Sequence, residues 1–137
     1  MKDGPFWLVA LSVGSGAAIG AVLRWALSYV LNPKWATLPL GTLSANLIGA
    51  YLIGLAAAAF ASHPAVPPAV RLFVVTGFLG GLTTFSTFSS EAVALLSGAH
   101  YGRAALHVLL HGGGSFLLTA LGMFSWHAIE EVLRRAG

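Results

Sequence analysis

Gly77-Phe78-Leu79-Gly80-Gly81-Leu82-Thr83-Thr84-Phe85-Ser86-Thr87-Phe88-Ser89-Ser90-Glu91 decides how the rest of the chain is read. Its first fourteen residues close a segment, 72–90, that lacks Asp, Glu, Lys and Arg. Three glycines fall within five residues, and six hydroxyls follow between positions 83 and 90. A helix facing lipid has no use for this composition. Gly80-Gly81 weakens a helix, and backbone groups freed at membrane depth survive only where protein buries them or where they line a polar cavity. The stretch therefore predicts a spanning helix broken near mid-membrane, over 77–84, that handles something polar inside the bilayer.

Composition places the whole chain in a membrane. Of 137 residues, 57% are hydrophobic and only 8% are charged, against about 25% charged in soluble domains. Residues 4–23, 35–70 and 104–129 are also free of Asp, Glu, Lys and Arg, and a spanning helix needs about 20 mostly apolar residues. Four spans follow, over approximately 6–31, 38–61, 70–96 and 103–127, in one transmembrane domain covering 1–137. The net charge of +3 does not indicate nucleic acid, because the seven basic residues form no cluster or stripe. With no cysteine there are no disulfides or thiolate metal sites. Residues 1–20 have the outline of a signal peptide, but the apolar run continues to Leu31 without a clear cleavage site, so a retained first helix is expected.

Each segment carries a polar signal. In the first, Gly16 and Gly20 form a small-xxx-small pair that admits a second backbone. Arg24, near the segment's end, reads as a snorkelling side chain or a residue at a pore mouth. In the second, Thr42, Asn46, Gly49 and Ile53 share one helix face, and Asn46 is the only amide in a charge-free run of 36 residues. A buried amide must find partners, so Asn46 is either interhelical glue or a group for a polar solute. In the third, Phe85 and Phe88 share a face among hydroxyl residues. Glu91 is the only acidic residue between Asp3 and Glu130, and an intramembrane carboxylate is a functional candidate. In the fourth, His107, His111, Ser115 and Thr119 recur every four residues as a polar stripe. His107 and His111 have metal-ligand spacing. With no Glu beside the first and no third ligand evident, the stripe reads as the wall of a polar cavity rather than a zinc site.

Four spans put both termini on the side of the 63–69 loop. Lys2, Arg71, Arg134 and Arg135 lie there; Lys34 and Arg103 lie opposite, with Arg24 close to that side. So weak a positive-inside bias predicts insertion in both orientations.

The glycine-broken motif, the run Gly41-Thr42-Leu43-x-x-Asn46-x-x-Gly49 and Arg24 together resemble the Fluc (CrcB-type) fluoride channels, in order and spacing over essentially the whole chain. The resemblance implies an all-α integral membrane protein. It would be an antiparallel, dual-topology homodimer of four-helix subunits in the cell (plasma or inner) membrane, exporting fluoride through two pathways. It implies that Asn46, the paired Phe85 and Phe88, and the hydroxyls of Ser115 and Thr119 form the fluoride pathway, with Thr42, Arg24 and Glu91 in less defined roles. It also implies a structural sodium ion at the dimer centre, held by the backbone carbonyls of Gly80 and Thr83. The donor set suits the ion: fluoride is small, strongly hydrated and a hydrogen-bond acceptor, so its water must be replaced by N–H and O–H groups.

Competing classes fit less well. A small proton-coupled exporter of the dual-topology multidrug type needs an embedded carboxylate, and Glu91 is off-centre. An intramembrane serine hydrolase would use His107 or His111, but no Gly-x-Ser-x-Gly turn is present. A structural membrane protein explains the glycines but not the row of hydroxyls.

Overall fold

Pro5 and Pro39 stand immediately before the first two long helices, where a missing N–H costs nothing. In the computed structural model, which describes residues 5–34 and 37–136, α1 is Phe6–Leu31, followed by a 3₁₀ turn at Asn32–Lys34, and α2 is Leu40–Ser62. Next, α3 opens as Pro68–Leu72, runs through a π-helical stretch at Phe73–Leu79 and ends in the turn Gly80–Leu82. Two further helices follow, α4 at Phe85–Ser97 and α5 at Tyr101–Ala136. Every described helical or strand element is helical, and four segments are long and apolar enough to cross a membrane: Phe6–Leu31, Leu40–Ser62, Pro68–Ser97 and Tyr101–Ala136. Lys2 and Asp3 lie outside the described residues.

Small residues make the interior and large ones the exterior. The buried apolar set is mostly alanine (Ala45, Ala50, Ala56, Ala58, Ala104), with Leu38, Leu79 and Leu82. Trp7, Trp25, Tyr29, Phe116 and Phe124 are all exposed. A protein surrounded by water would reverse this arrangement. Lipid supplies no hydrophobic drive between helices, so they associate through close van der Waals contact at small residues.

Two glycine seams do most of that packing. A Cβ on Gly16 would meet the backbone of Phe73, Gly77 and Phe78, and one on Gly20 would clash with the carbonyl of Phe78. From the other side, a Cβ on Gly77 would lie 2.6 Å from the Val13 carbonyl, and one on Gly81 would strike the Ala17 backbone. So α1 and α3 touch backbone to backbone, as the Gly16/Gly20 spacing predicts. Gly54 and Gly122 do the same between α2 and α5.

The glycines of the central motif therefore act differently from the sequence-based expectation of a break over 77–84. Gly80 and Gly81 remain in helical conformation, and Gly81 is held there by contact with α1. Extended dihedrals occur only at Thr83 (φ −83°, ψ 154°) and Thr84 (φ −149°, ψ 117°). Thr84 then caps α4, its hydroxyl accepting from the N–H of Thr87 at 3.2 Å. The fourth span also exceeds its expected 103–127 limits. Glu131 and Arg135 pair one turn apart on its charged tail, and the helix continues to Ala136.

Candidate functional site

Thr83 still donates its N–H to the Leu79 carbonyl at 3.0 Å, but the N–H of Thr84 turns away from α3, and a neighbouring helix bonds both the N–H and the carbonyl of Thr84. Asn46 of α2 donates from Nδ2 to the Thr84 carbonyl at 3.1 Å, and the Thr84 N–H donates to Asn46 Oδ1 at 2.8 Å. The amide clasps one residue, bonding its N–H and its carbonyl. One of its two N–H donors is spent in doing so, and the other remains. Asn46 thus joins two helices, with one N–H left over.

Beside this clasp lies a cavity of about 530 Å³. Asn46, Gly80, Thr83, Phe85, Phe88, Ser115 and Thr119 all line it. These are seven of the ten site residues named from the sequence, drawn from α2, α3, α4 and α5. Phe85 and Phe88 lie with ring centroids 5.6 Å apart, so each meets the cavity about one helical turn from the other. Ser115 makes no hydrogen bond among the described residues, which leaves its hydroxyl available. The Thr119 hydroxyl donates to the Ala50 carbonyl at 3.0 Å, so its proton is already committed.

The three remaining residues lie off the cavity wall. Arg24 is half-buried and donates from Nε to the Gly81 carbonyl at 3.0 Å, locking α1 to the end of α3. It is neither snorkelling freely nor lining the cavity. Thr42 is buried and donates to Glu91 Oε1 at 2.6 Å. Glu91 borders a second, smaller cavity together with Asn32, Thr37 and Leu95, near the turn between α1 and α2.

Between the two cavities stand the histidines of the α5 stripe. His107 Nε2 is 3.6 Å from Glu91 Oε2 and 3.4 Å from the Phe88 carbonyl. The Nδ1 of His111 bonds the His107 carbonyl at 3.0 Å. Phe88 lies against both imidazoles, stacked on His107 at 5.2 Å and tilted against His111 at 4.7 Å. Periodicity made the histidine stripe visible. That Glu91 faces it from α4 had no sequence signal, because nothing in the spacing along one helix reports which residue of another lies opposite.

The backbone around Thr83 carries one more consequence. In an unbroken helix the N–H of Thr84 would serve the Gly80 carbonyl, and that of Thr87 would serve Thr83. Here those donors go to Asn46 Oδ1 and Thr84 Oγ1. The carbonyls of Gly80 and Thr83 lose their helical partners, whereas that of Gly81 is taken by Arg24.

Residues 11–123 match the family described as CrcB-like protein, Camphor Resistance (CrcB). Two curated relatives named "Fluoride-specific ion channel FluC", from Cupriavidus pinatubonensis and Cupriavidus metallidurans, are each 57% identical over 126 residues, covering 92% of this chain and 98% of the relative. A relative of the same name from Thiobacillus denitrificans is 56% identical over 115 residues, covering 84% of this chain and 93% of the relative. The match runs through all four spanning segments and takes in both walls of the cavity: the chain is a multi-pass membrane protein and belongs to the CrcB family.

Proposed function

We propose that the chain is a fluoride channel, formed by two copies inserted in opposite orientations, that exports fluoride from the cell and so relieves its toxicity. One observation carries the reading: Asn46, Phe85, Phe88 and Ser115 converge on one cavity, in a chain whose relatives are named fluoride channels. The cavity offers what a dehydrated fluoride ion needs. The second N–H of Asn46 and the free hydroxyl of Ser115 are donors without full charge, so they bind an anion without trapping it. Thr119 joins them only by releasing the Ala50 carbonyl. One face of Phe88 is covered by His107, which favours presentation of its positive ring edge to the cavity. Phe85 supplies a second ring one turn away.

The open side of the cavity argues for a second copy. Phe85 is 79% exposed and Phe116 is 80% exposed, both on the cavity wall. Polar groups cannot face hydrocarbon at this depth, and a second chain would cover them. The near-balanced basic residues favour an antiparallel pair in the cell membrane, with one pathway for each copy and the extended Thr83-Thr84 pair breaking the third span at mid-membrane. A sodium ion suits the centre of such a pair. The Gly80 and Thr83 carbonyls, short of helical donors, are hard oxygen ligands. Bound there, the ion would supply positive charge that fastens the two copies together.

A proton-coupled exporter, the alternative reading, would need a carboxylate on the main cavity. Glu91 is instead bonded to Thr42 outside it. The experiment is fluoride efflux from liposomes containing the purified protein, with chloride as control. Passive, fluoride-selective efflux independent of a pH gradient is expected. Efflux that requires a pH gradient would move the protein to the exporter class, and no efflux would refute the channel.

A further inference from the structure

Glu91, His107 and His111 each direct one ligand atom toward a common point, and those three atoms lie within 4.8 Å of one another. Both imidazoles are almost fully inaccessible, His107 at 1% and His111 at 5% exposure. Two of the three atoms, Glu91 Oε2 and His111 Nε2, are buried without any hydrogen-bond partner. Buried lone pairs are costly to leave unsatisfied, and two of them converging demands an occupant. We infer that this cluster is a binding site for a divalent transition-metal ion of the zinc type, placed between the two cavities.

Two of the ligands fit as they stand, and His107 Nε2 becomes the third once its proton moves to Nδ1 and it releases the Phe88 carbonyl at 3.4 Å. His111 Nδ1 lies 3.0 Å from the His107 carbonyl, which can only accept, so Nδ1 carries the proton and Nε2 presents its lone pair. This is the outer-shell hydrogen bond that fixes a metal-ligating histidine in its tautomer. Glu91 is held in the same way by the Thr42 hydroxyl on Oε1, which leaves Oε2 to bind. Tetrahedral zinc with bonds of about 2.0–2.1 Å places its ligand atoms about 3.3 Å apart. His107 Nε2 and Glu91 Oε2 are already 3.6 Å apart, and the third atom, His111 Nε2, lies within 4.8 Å of both. A plain His107–Glu91 ion pair would leave His111 Nε2 unexplained.

Two imidazoles and one carboxylate leave a fourth position open on a tetrahedral ion. His111 reaches the main cavity and Glu91 the smaller one, so that position lies where a solute passing between them would go. If the protein conducts fluoride, as proposed above, an ion here holds the anion by direct coordination and slows it. Zinc is then an inhibitor acting from within the pathway.

The site itself is tested without fluoride, on the purified protein in detergent after chelator treatment. Equilibrium dialysis with Zn²⁺ should give one tightly held ion per chain. Binding should weaken by more than the about 10–100-fold typical of losing an outer-shell partner in His111→Ala, His111→Gln and Glu91→Gln. The exposed His100 and His127 serve as controls, and their alanine variants should bind as wild type does. Co²⁺ added to the wild-type protein should give the intense visible absorption of a tetrahedral site, a readout that requires no variant. Zinc uptake unchanged in both His111 variants, or a Co²⁺ spectrum of the six-coordinate aqueous type, overturns the assignment. In liposomes, Zn²⁺ should reduce wild-type fluoride efflux reversibly and leave the His111→Gln protein less affected. Metal bound without any effect on an active channel would refute the inhibition. Metal bound by a protein that passes no fluoride would refute the channel and leave the metal site standing.

Discussion

Replacing Asn46 by Asp changes one atom and should break the clasp on Thr84 from one end only. The Thr84 N–H keeps its acceptor, because a carboxylate oxygen replaces Oδ1. The Thr84 carbonyl loses its donor at 3.1 Å and faces a second carboxylate oxygen instead. As the N-cap residue, Thr84 keeps the first intrahelical bond of α4 on that carbonyl, so one of its two acceptor bonds is lost. Losing one hydrogen bond costs about 0.5–1.5 kcal/mol, and repulsion between the two oxygens adds to it. Asn46→Ala removes both bonds and leaves the Thr84 N–H without its acceptor, which should cost more, roughly 1.5–4.5 kcal/mol. Denaturant or thermal unfolding in detergent should therefore rank wild type above Asn46→Asp. In liposomes the Asp variant should lose fluoride efflux, because the donor facing the cavity is gone and a negative charge stands beside an anion. Lowering the pH protonates the introduced carboxyl, restores one donor and should narrow the stability gap to wild type. Wild-type stability together with wild-type efflux in Asn46→Asp would refute both halves of the reasoning.

Phe85→Ile and Phe88→Ile should each cut fluoride efflux sharply. Phe88→Ile should also lower stability more than Phe85→Ile, by about 0.5–1.5 kcal/mol for each lost aromatic contact, because Phe88 packs against both imidazoles and Phe85, whereas Phe85 has Phe88 as its one aromatic partner among the described residues. Equal efflux from both variants and wild type would leave the rings as packing. Gly20→Ala should destabilise the fold by about 1–3 kcal/mol through overpacking, whereas Gly14→Ala, with nothing within 4 Å of the added carbon, should be neutral or stabilising in thermal melts. Reporters fused to the C-terminus should be detected on both sides of the membrane, and two or three lysines added to one set of loops should drive a single orientation; one orientation in the unmodified protein excludes the antiparallel pair. Exchanging sodium for a bulky organic cation should lower the melting temperature of the dimer, since an ion bound only by the assembled state stabilises it by mass action; an unchanged melting temperature counts against a sodium site at Gly80 and Thr83.

What could be read from the sequence was what repeats along a single helix. Gly16 with Gly20, Phe85 with Phe88, and Ser115 with Thr119 each declare a shared face by spacing, and each pair does share a surface in the structure. Asn46 was legible because an amide alone in an apolar run must be matched by something. Pairings across helices were not legible. Thr42 with Glu91, Arg24 with Gly81, and Glu91 with the two histidines depend on which faces meet and at what height, and neither is encoded in local periodicity. Which residues within the expected 77–84 stretch are extended was not legible for a related reason. Gly80-Gly81 looks like a break when read alone, but Gly81 keeps its helical turn because α1 needs a residue without a side chain there. The extended residues are Thr83 and Thr84, where Asn46 bonds the Thr84 N–H and carbonyl.

The π-helical stretch at Phe73–Leu79 acts as a phase shifter for everything after it. A π turn accommodates one more residue than an α turn over the same rise, so the downstream residues emerge rotated relative to a regular helix. Each residue of an α-helix advances the azimuth by about 100°. Removing one residue from this stretch would let it relax to α geometry and swing Gly81 off its seam with α1. Thr84 would turn away from Asn46 in the same movement. The aim of the cavity wall is thus set by a counting offset accumulated upstream, in a stretch of which only Val75 and Leu79 reach the cavity.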